Sequence, residues 1–162
     1  MTDKITEKLK FKLELWGEYW DKPPIAEILI NDQSHYQSEI TGTEGKPTLI
    51  EFQHTLEEGE KYILKILRSG KDRRQTVVEN NKIIKDQLLH IKNIEIDEID
   101  IGSLVYEGVY IPEYPEPWAT QQRDAGIELP KSFKNVTNMG HNGSWSLQFE
   151  SPFYMWLLEN LY

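Results

Sequence analysis

The chain contains no cysteine. Disulfides, thiolate metal sites and thiol nucleophiles are therefore excluded together, and the composition fits a reducing compartment. No apolar run approaches the ~18 residues that a membrane-spanning helix needs. The start, Met1-Thr2-Asp3-Lys4-Ile5-Thr6-Glu7-Lys8, lacks the apolar stretch of a signal peptide. No membrane span and no cleaved signal peptide are expected. Positive charge is also scarce: 18 Lys and Arg stand against 27 Asp and Glu, for a net charge of −9. Such a surface repels a polyphosphate unless its cations gather on one face, and the one concentrated basic group is Lys71, Arg73 and Arg74. Placed after Ser69-Gly70 and beside Asp72, that group reads as a solvated hairpin tip, so nucleic acid is not an expected partner. Internal repeats, low-complexity tracts and Gly/Ser linkers are missing as well, which leaves one domain over residues 1–162. A chain of that length buries roughly two-thirds of its unfolded surface without covalent staples.

What the chain does have is alternation. Leu9, Phe11, Leu13 and Leu15 are interleaved with Lys8, Lys10, Lys12 and Glu14, and the same period of two recurs in Tyr62-Leu64-Ile66, in Leu89-Ile91 running on through Ile94-Ile96, and in Trp145-Leu147-Phe149. One face in a core and one in water is the signature of half-buried antiparallel sheet. Strands are expected near 8–16, 25–31, 35–41, 48–54, 61–68, 74–79, 82–85, 87–96, 103–111 and 144–149. The turns between them carry Asn31-Asp32, Gly42 to Gly45, Glu57-Glu58-Gly59, Ser69-Gly70 and Asn80-Asn81. Spacing this short allows hairpins and Greek-key returns but no parallel crossovers. The fold class is all-β, an antiparallel β-sandwich of jelly-roll type with a short C-terminal α-helix.

The main strands occupy 8–111, after which Pro112, Pro115, Pro117 and Pro130 each remove a backbone donor. Residues 112–143 therefore read as a long loop region, packed in its first half by Tyr114 and Trp118, before the final strand at 144–149. Ser151 as N-cap and Pro152 at the first helical position open a helix over 151–161. Its apolar residues form two stripes, Phe153-Trp156-Leu157 and Tyr154-Leu158-Tyr162. Either both close one end of the sandwich, or the second is an interface, for which a homo-oligomer is the simplest partner.

Enzymatic constellations are missing. His35, His54, His90 and His141 show no metal-ligand spacing, and no serine sits in a Gly-x-Ser-x-Gly elbow. Glu95, Asp97, Glu98 and Asp100 offer carboxylates for a hard cation such as Ca²⁺, or form a solvated acidic face running into a turn. The aromatic residues carry the binding argument. If 103–111 is a strand, Tyr106 and Tyr110 flank the bare backbone of Gly108 as a slot between rings. Tyr114 and Trp118 follow, and Trp16, Tyr19 and Trp20 lie at the end of the first strand. Flat apolar surface with polar groups nearby suits the stacking of a sugar ring, with Tyr106, Tyr110, Tyr114, Trp118 and Trp20 as candidate ligand contacts. The alternative is that these rings fill the ends of the sandwich.

Three stretches carry a resemblance: His54 to Ile66 around Glu57-Glu58-Gly59-Glu60-Lys61-Tyr62, Lys85 to Asp97 around Gln87-Leu88-Leu89-His90, and Asn138-Met139-Gly140-His141-Asn142-Gly143-Ser144-Trp145 on to Asn160. Together they resemble a family of small proteins from tailed phages of marine cyanobacteria. The sandwich part is similar to calcium-dependent xylan-binding carbohydrate modules. The resemblance implies a non-enzymatic carbohydrate-binding module that recognises a host-surface glycan, with Ca²⁺ held by acidic residues, for which Asp97 and Asp100 are the candidates. It places the protein in the virion or the host cytoplasm. The competing reading is a phage structural or assembly protein that binds a phage or host protein through an apolar surface.

Overall fold

The computed structural model describes residues 4–161. Among them the strands are β1 (Thr6–Glu18), β2 (Ile25–Ile30), β3 (Gln33–Glu39), β4 (Thr48–Glu57), β5 (Lys61–Ser69), β6 (Val77–Glu79), β7 (Lys82–Lys85), β8 (Leu88–Ile96), β9 (Ile99–Asp100), β10 (Val109–Pro112), β11 (Phe133–Lys134), β12 (Asn138–Met139) and β13 (Gly143–Glu150). The helices are α1 (Trp118–Asp124) and α2 (Phe153–Leu161), with a turn of 3₁₀ helix at Gly102–Glu107.

The chain crosses repeatedly between two antiparallel sheets, while the pairs β2–β3, β8–β9 and β10–β11 each stay within one sheet. The first sheet has the order β12-β8-β1-β4, with β9 beside β8, and the second the order β11-β10-β13-β5-β2-β3. The all-β antiparallel reading therefore holds. Leu9, Phe11, Leu13 and Leu15 of β1 are buried against Leu64, Ile66, Trp145, Leu147 and Phe149 of the opposite sheet in one hydrophobic cluster. The alternation in β8 changes parity between Ile91 and Ile94 for a physical reason. Pairing with β1 slips there, with Glu14 opposite Asn93 and Leu15 opposite Ile91, so Lys92 is a bulged extra residue. The bulge returns Leu89, Ile91, Ile94 and Ile96 to the same core.

Side chains close the edge formed by β3 and β4, the outermost strands of their sheets. His35 Nε2 lies 2.9 Å from His54 Nδ1, joining the two. The His35 ring stacks on Phe52 at 4.5 Å, and Phe52 stacks on Phe11 at 5.1 Å. At the other end of the chain, α2 docks through buried Phe153 and Leu157.

Four expectations need correction. Residues 103–111 are not one strand, because Gly102–Glu107 coils as 3₁₀ helix and only Val109–Pro112 joins the sheet. Strand near 74–79 shrinks to Val77–Glu79, with Gln75 buried in the preceding loop. The region 112–143 is not all loop, since it forms α1, β11 and β12. Pro115 and Pro117 assist α1, their carbonyls accepting from the N–H groups of Ala119 and Gln121. Finally, α2 starts at Phe153 rather than Pro152, and its cap comes from far along the chain. Glu7 Oε1 accepts from Phe153 N–H at 2.7 Å and from the Ser151 hydroxyl at 3.0 Å. A carboxylate at a helix N-terminus satisfies a free amide and opposes the helix dipole.

Candidate functional site

The β5–β6 connection, the β6–β7 hairpin, the segment leading into α1 and the loop at Gly140–Asn142 converge on a cleft of about 440 Å³. Its apolar lining comes from Trp118, Pro115, Val78 and Ile83, and its polar lining, the floor, comes from Lys71 and its neighbours. The Lys71 ammonium donates to Asp86 Oδ1 at 2.9 Å and to the Gly140 carbonyl at 2.5 Å, with only a tenth of the side chain exposed. Asp86 also accepts from the Thr76 hydroxyl at 2.7 Å and from the Gln87 N–H at 2.8 Å. Burial pushes the Asp86 carboxyl up, but these donors outweigh it and hold the group below its ordinary value.

Asn142 fastens the floor to the sheet beneath. Its Oδ1 accepts from Arg68 Nη1 at 2.8 Å and from Lys71 N–H at 3.1 Å, while its Nδ2 donates to the Lys71 carbonyl at 2.9 Å. Arg68 is buried, donates from Nη2 to the Gln87 carbonyl at 2.7 Å, and is pushed down to about 10 by that burial. His141 packs 5.6 Å from the Trp118 ring and 5.2 Å from Tyr114. Burial first, and the neighbouring Lys71 next, lower its pKa, which favours the neutral imidazole.

The aromatic candidates separate. Trp118, 38% exposed, lines the cleft, and Tyr114 backs it at 6.1 Å with its hydroxyl donating to the Pro130 carbonyl at 2.5 Å. Tyr106 and Tyr110 do not form a slot. A Cβ on Gly108 would lie 2.2 Å from Cε2 of Trp145, so the protein's own indole occupies that space. Tyr106 is exposed on the 3₁₀ turn, away from the cleft. Tyr110 is buried, its hydroxyl donating to the His141 carbonyl at 2.5 Å and accepting from the His141 N–H at 2.9 Å. Burial pushes its pKa up to about 12. Its role is to fix the loop that presents His141. Trp20 does not line the cleft: its indole N–H donates to the Gln75 carbonyl at 2.9 Å, and its ring lies 4.7 Å beneath the Lys85 ammonium.

The metal and interface candidates divide as well. Asp97 accepts a hydrogen bond from the Tyr154 hydroxyl, and Asp100 Oδ1 accepts from Gly102 N–H at 2.8 Å. Each carboxylate is engaged locally, and among the described residues no group of three or more His, Asp or Glu converges as a metal shell. These residues do not fit the calcium site that the resemblance implied. Tyr154 and Leu158 are exposed on the outer side of α2, while Tyr162 lies outside the described residues. Among those residues, no helix is long and apolar enough to cross a membrane.

Sequence reasoning missed Lys71, Asp86, His141 and Asn142. It placed Lys71 on a solvated tip, whereas burial between Asp86 and Gly140 makes it part of a floor. The local signal available was the Gly140-His141-Asn142-Gly143 turn beside Trp145. A second depression, of about 430 Å³, lies on the outer face of the first sheet. Its charged groups face one another, Lys12 with Glu95 at 3.9 Å and Lys10 with Glu98 at 4.0 Å, as on an ordinary solvated sheet. Comparison with family models, curated proteins and solved structures returned no match to this chain.

Proposed function

We propose that this protein is a non-enzymatic carbohydrate-binding module, with its ligand in the cleft beside Trp118. The observation that carries the reading is an exposed indole lining the same cleft as a set of fixed donors and acceptors. A pyranose has apolar faces and a hydroxyl rim, so it matches a wall that stacks and a floor that hydrogen-bonds. Lys71 and His141 supply donors and the second carboxylate oxygen of Asp86 supplies an acceptor, and the hydrogen bonds that join Lys71, Asp86 and Asn142 hold them in place before the ligand arrives. With the likeness to phage proteins, the glycan proposed is one on a host cell surface.

Trp118→Ala tests this directly. Loss of a stacking aromatic removes about 1 kcal/mol or more beyond area burial, so affinity on a glycan array should fall at least several-fold. Because Trp118 is partly exposed, the urea midpoint should stay close to that of the wild type. Glycan binding that survives Trp118→Ala at full strength would remove the cleft from consideration.

A second reading, assembly through protein contact, is favoured by one feature. Tyr154, Met155, Leu158 and Leu161 give α2 an exposed apolar side, opposite buried Phe153 and Leu157. The partner in that reading is a second copy of the chain.

A further inference from the structure

The hairpin that contributes Val78 and Ile83 to the cleft belongs to neither main sheet. β6 and β7 pair only with each other, through Val77–Lys85, Val78–Ile83 and Glu79–Lys82. A two-stranded hairpin is marginal alone in water, so its position depends on what grips its base. Trp20 grips both sides of that base. Its N–H holds the Gln75 carbonyl just before β6, and its ring face holds the Lys85 ammonium at the end of β7. Buried Gln75 is fixed in turn, donating from Nε2 to Asp21 at 2.7 Å and accepting at Oε1 from Asp72 N–H at 3.1 Å.

The other end of the hairpin is free and apolar. Val78 and Ile83 form a cross-strand pair beside the Asn80-Asn81 turn, and they are 56% and 63% exposed. Both line the cleft that Trp118 also lines. Solvated side chains of this kind stabilise nothing in the free protein, and they gain burial only when something fills the gap between them and the indole.

We infer that the β6–β7 hairpin is a hinged wall that closes the cleft over its ligand, and that Trp20 is the residue that positions it. This rests on the reading of the cleft as a glycan site. The ligand ring is then held on both faces, by Trp118 on one and by the Val78–Ile83 pair on the other, with its rim toward Lys71 and Asp86. Trp20 touches no ligand and acts through Gln75 and Lys85.

Amide hydrogen exchange separates these statements. In the wild type without ligand, amides in 77–85 should exchange about 100-fold faster than those of β5 and β13, as expected for a local opening. Trp20→Ala should speed the hairpin by a further factor of about 10 without changing protection in β5 or β13. Trp20→Phe keeps a ring for Lys85 and loses the N–H, so it should fall between. A polysaccharide that the glycan array shows to bind should slow hairpin exchange in the wild type, and Trp20→Ala should weaken that binding about five-fold through faster dissociation. The inference is overturned if the hairpin is as protected as β5, if Trp20→Ala leaves its exchange unchanged, or if that variant loosens all strands alike. A wild type that binds no glycan removes the proposed function, while the exchange of the free protein still decides whether Trp20 holds a moving hairpin.

Discussion

Gly108 shows how one side chain decides what a surface offers. Trp145, fully buried on β13, lies where a Cβ at position 108 would be, so glycine is required by contact and not by backbone conformation. Gly108→Ala should therefore push the indole out of place and destabilise by about 1–3 kcal/mol, as overpacking does. Gly45→Ala, with nothing within 4 Å of the new methyl, should stay within about 0.5 kcal/mol of the wild type. Urea melts of the two variants provide the check, and equal midpoints would mean that the indole does not sit on Gly108. The same contact explains why the ring slot read from Tyr106 and Tyr110 does not exist. The sequence places those tyrosines two residues either side of a glycine, but it carries no local sign that a tryptophan from a distant strand fills the gap. Lys71 and Asp86 were illegible for a related reason. A charged residue in a turn is ordinarily solvated, and only the approach of Gly140 and Thr76 converts this one into a buried pair.

Elements were more legible than contacts, because periodicity is local. The interleaving in β1 fixed which side chains enter the core, and even the parity change in β8 was visible as Ile91 followed by Ile94. Where prolines cluster, the reading failed in one direction, because a missing donor does not prevent helix one residue later, as at Trp118. The C-terminal helix starts two residues later than the sequence predicts, with Phe153 and Leu157 buried and Tyr154 and Leu158 exposed. If a second copy covers that outer side, Leu158→Glu should give a folded monomer from a dimeric wild type in light scattering, since a charge has no place in an apolar interface. Leu158 is 61% exposed, so the change should leave the monomer's own stability nearly unaltered. A wild type that is monomeric at high concentration would dismiss assembly through α2.

At the scale of the whole molecule, stability should depend on pH through histidine. Burial lowers the pKa of His35, His54, His90 and His141, and at His54 the neighbouring His35 adds to the shift. In the unfolded chain these groups return to about 6.5. As pH falls through that value the unfolded state takes up protons that the folded state still refuses, so stability is complete above about 6.5 and declines below it. The urea midpoint should drop between pH 7.5 and 5.5, and His54→Gln should shrink the drop. An identical pH profile for that variant would show that the link between β3 and β4 does not titrate.

The position of β13 has a further consequence, for synthesis. This strand lies between β10 and β5 at the centre of the second sheet, although it is the last strand described. β1, β4 and β8 of the first sheet have all been synthesised once Ile96 has been added. The second sheet must wait until Glu150, and until then β5, and β10 once it has been made, each lack the β13 partner for one row of backbone donors and acceptors. A nascent chain in this condition is open to strand addition from its neighbours on a polysome, which makes the interval between those two residues the period in which it most needs a chaperone.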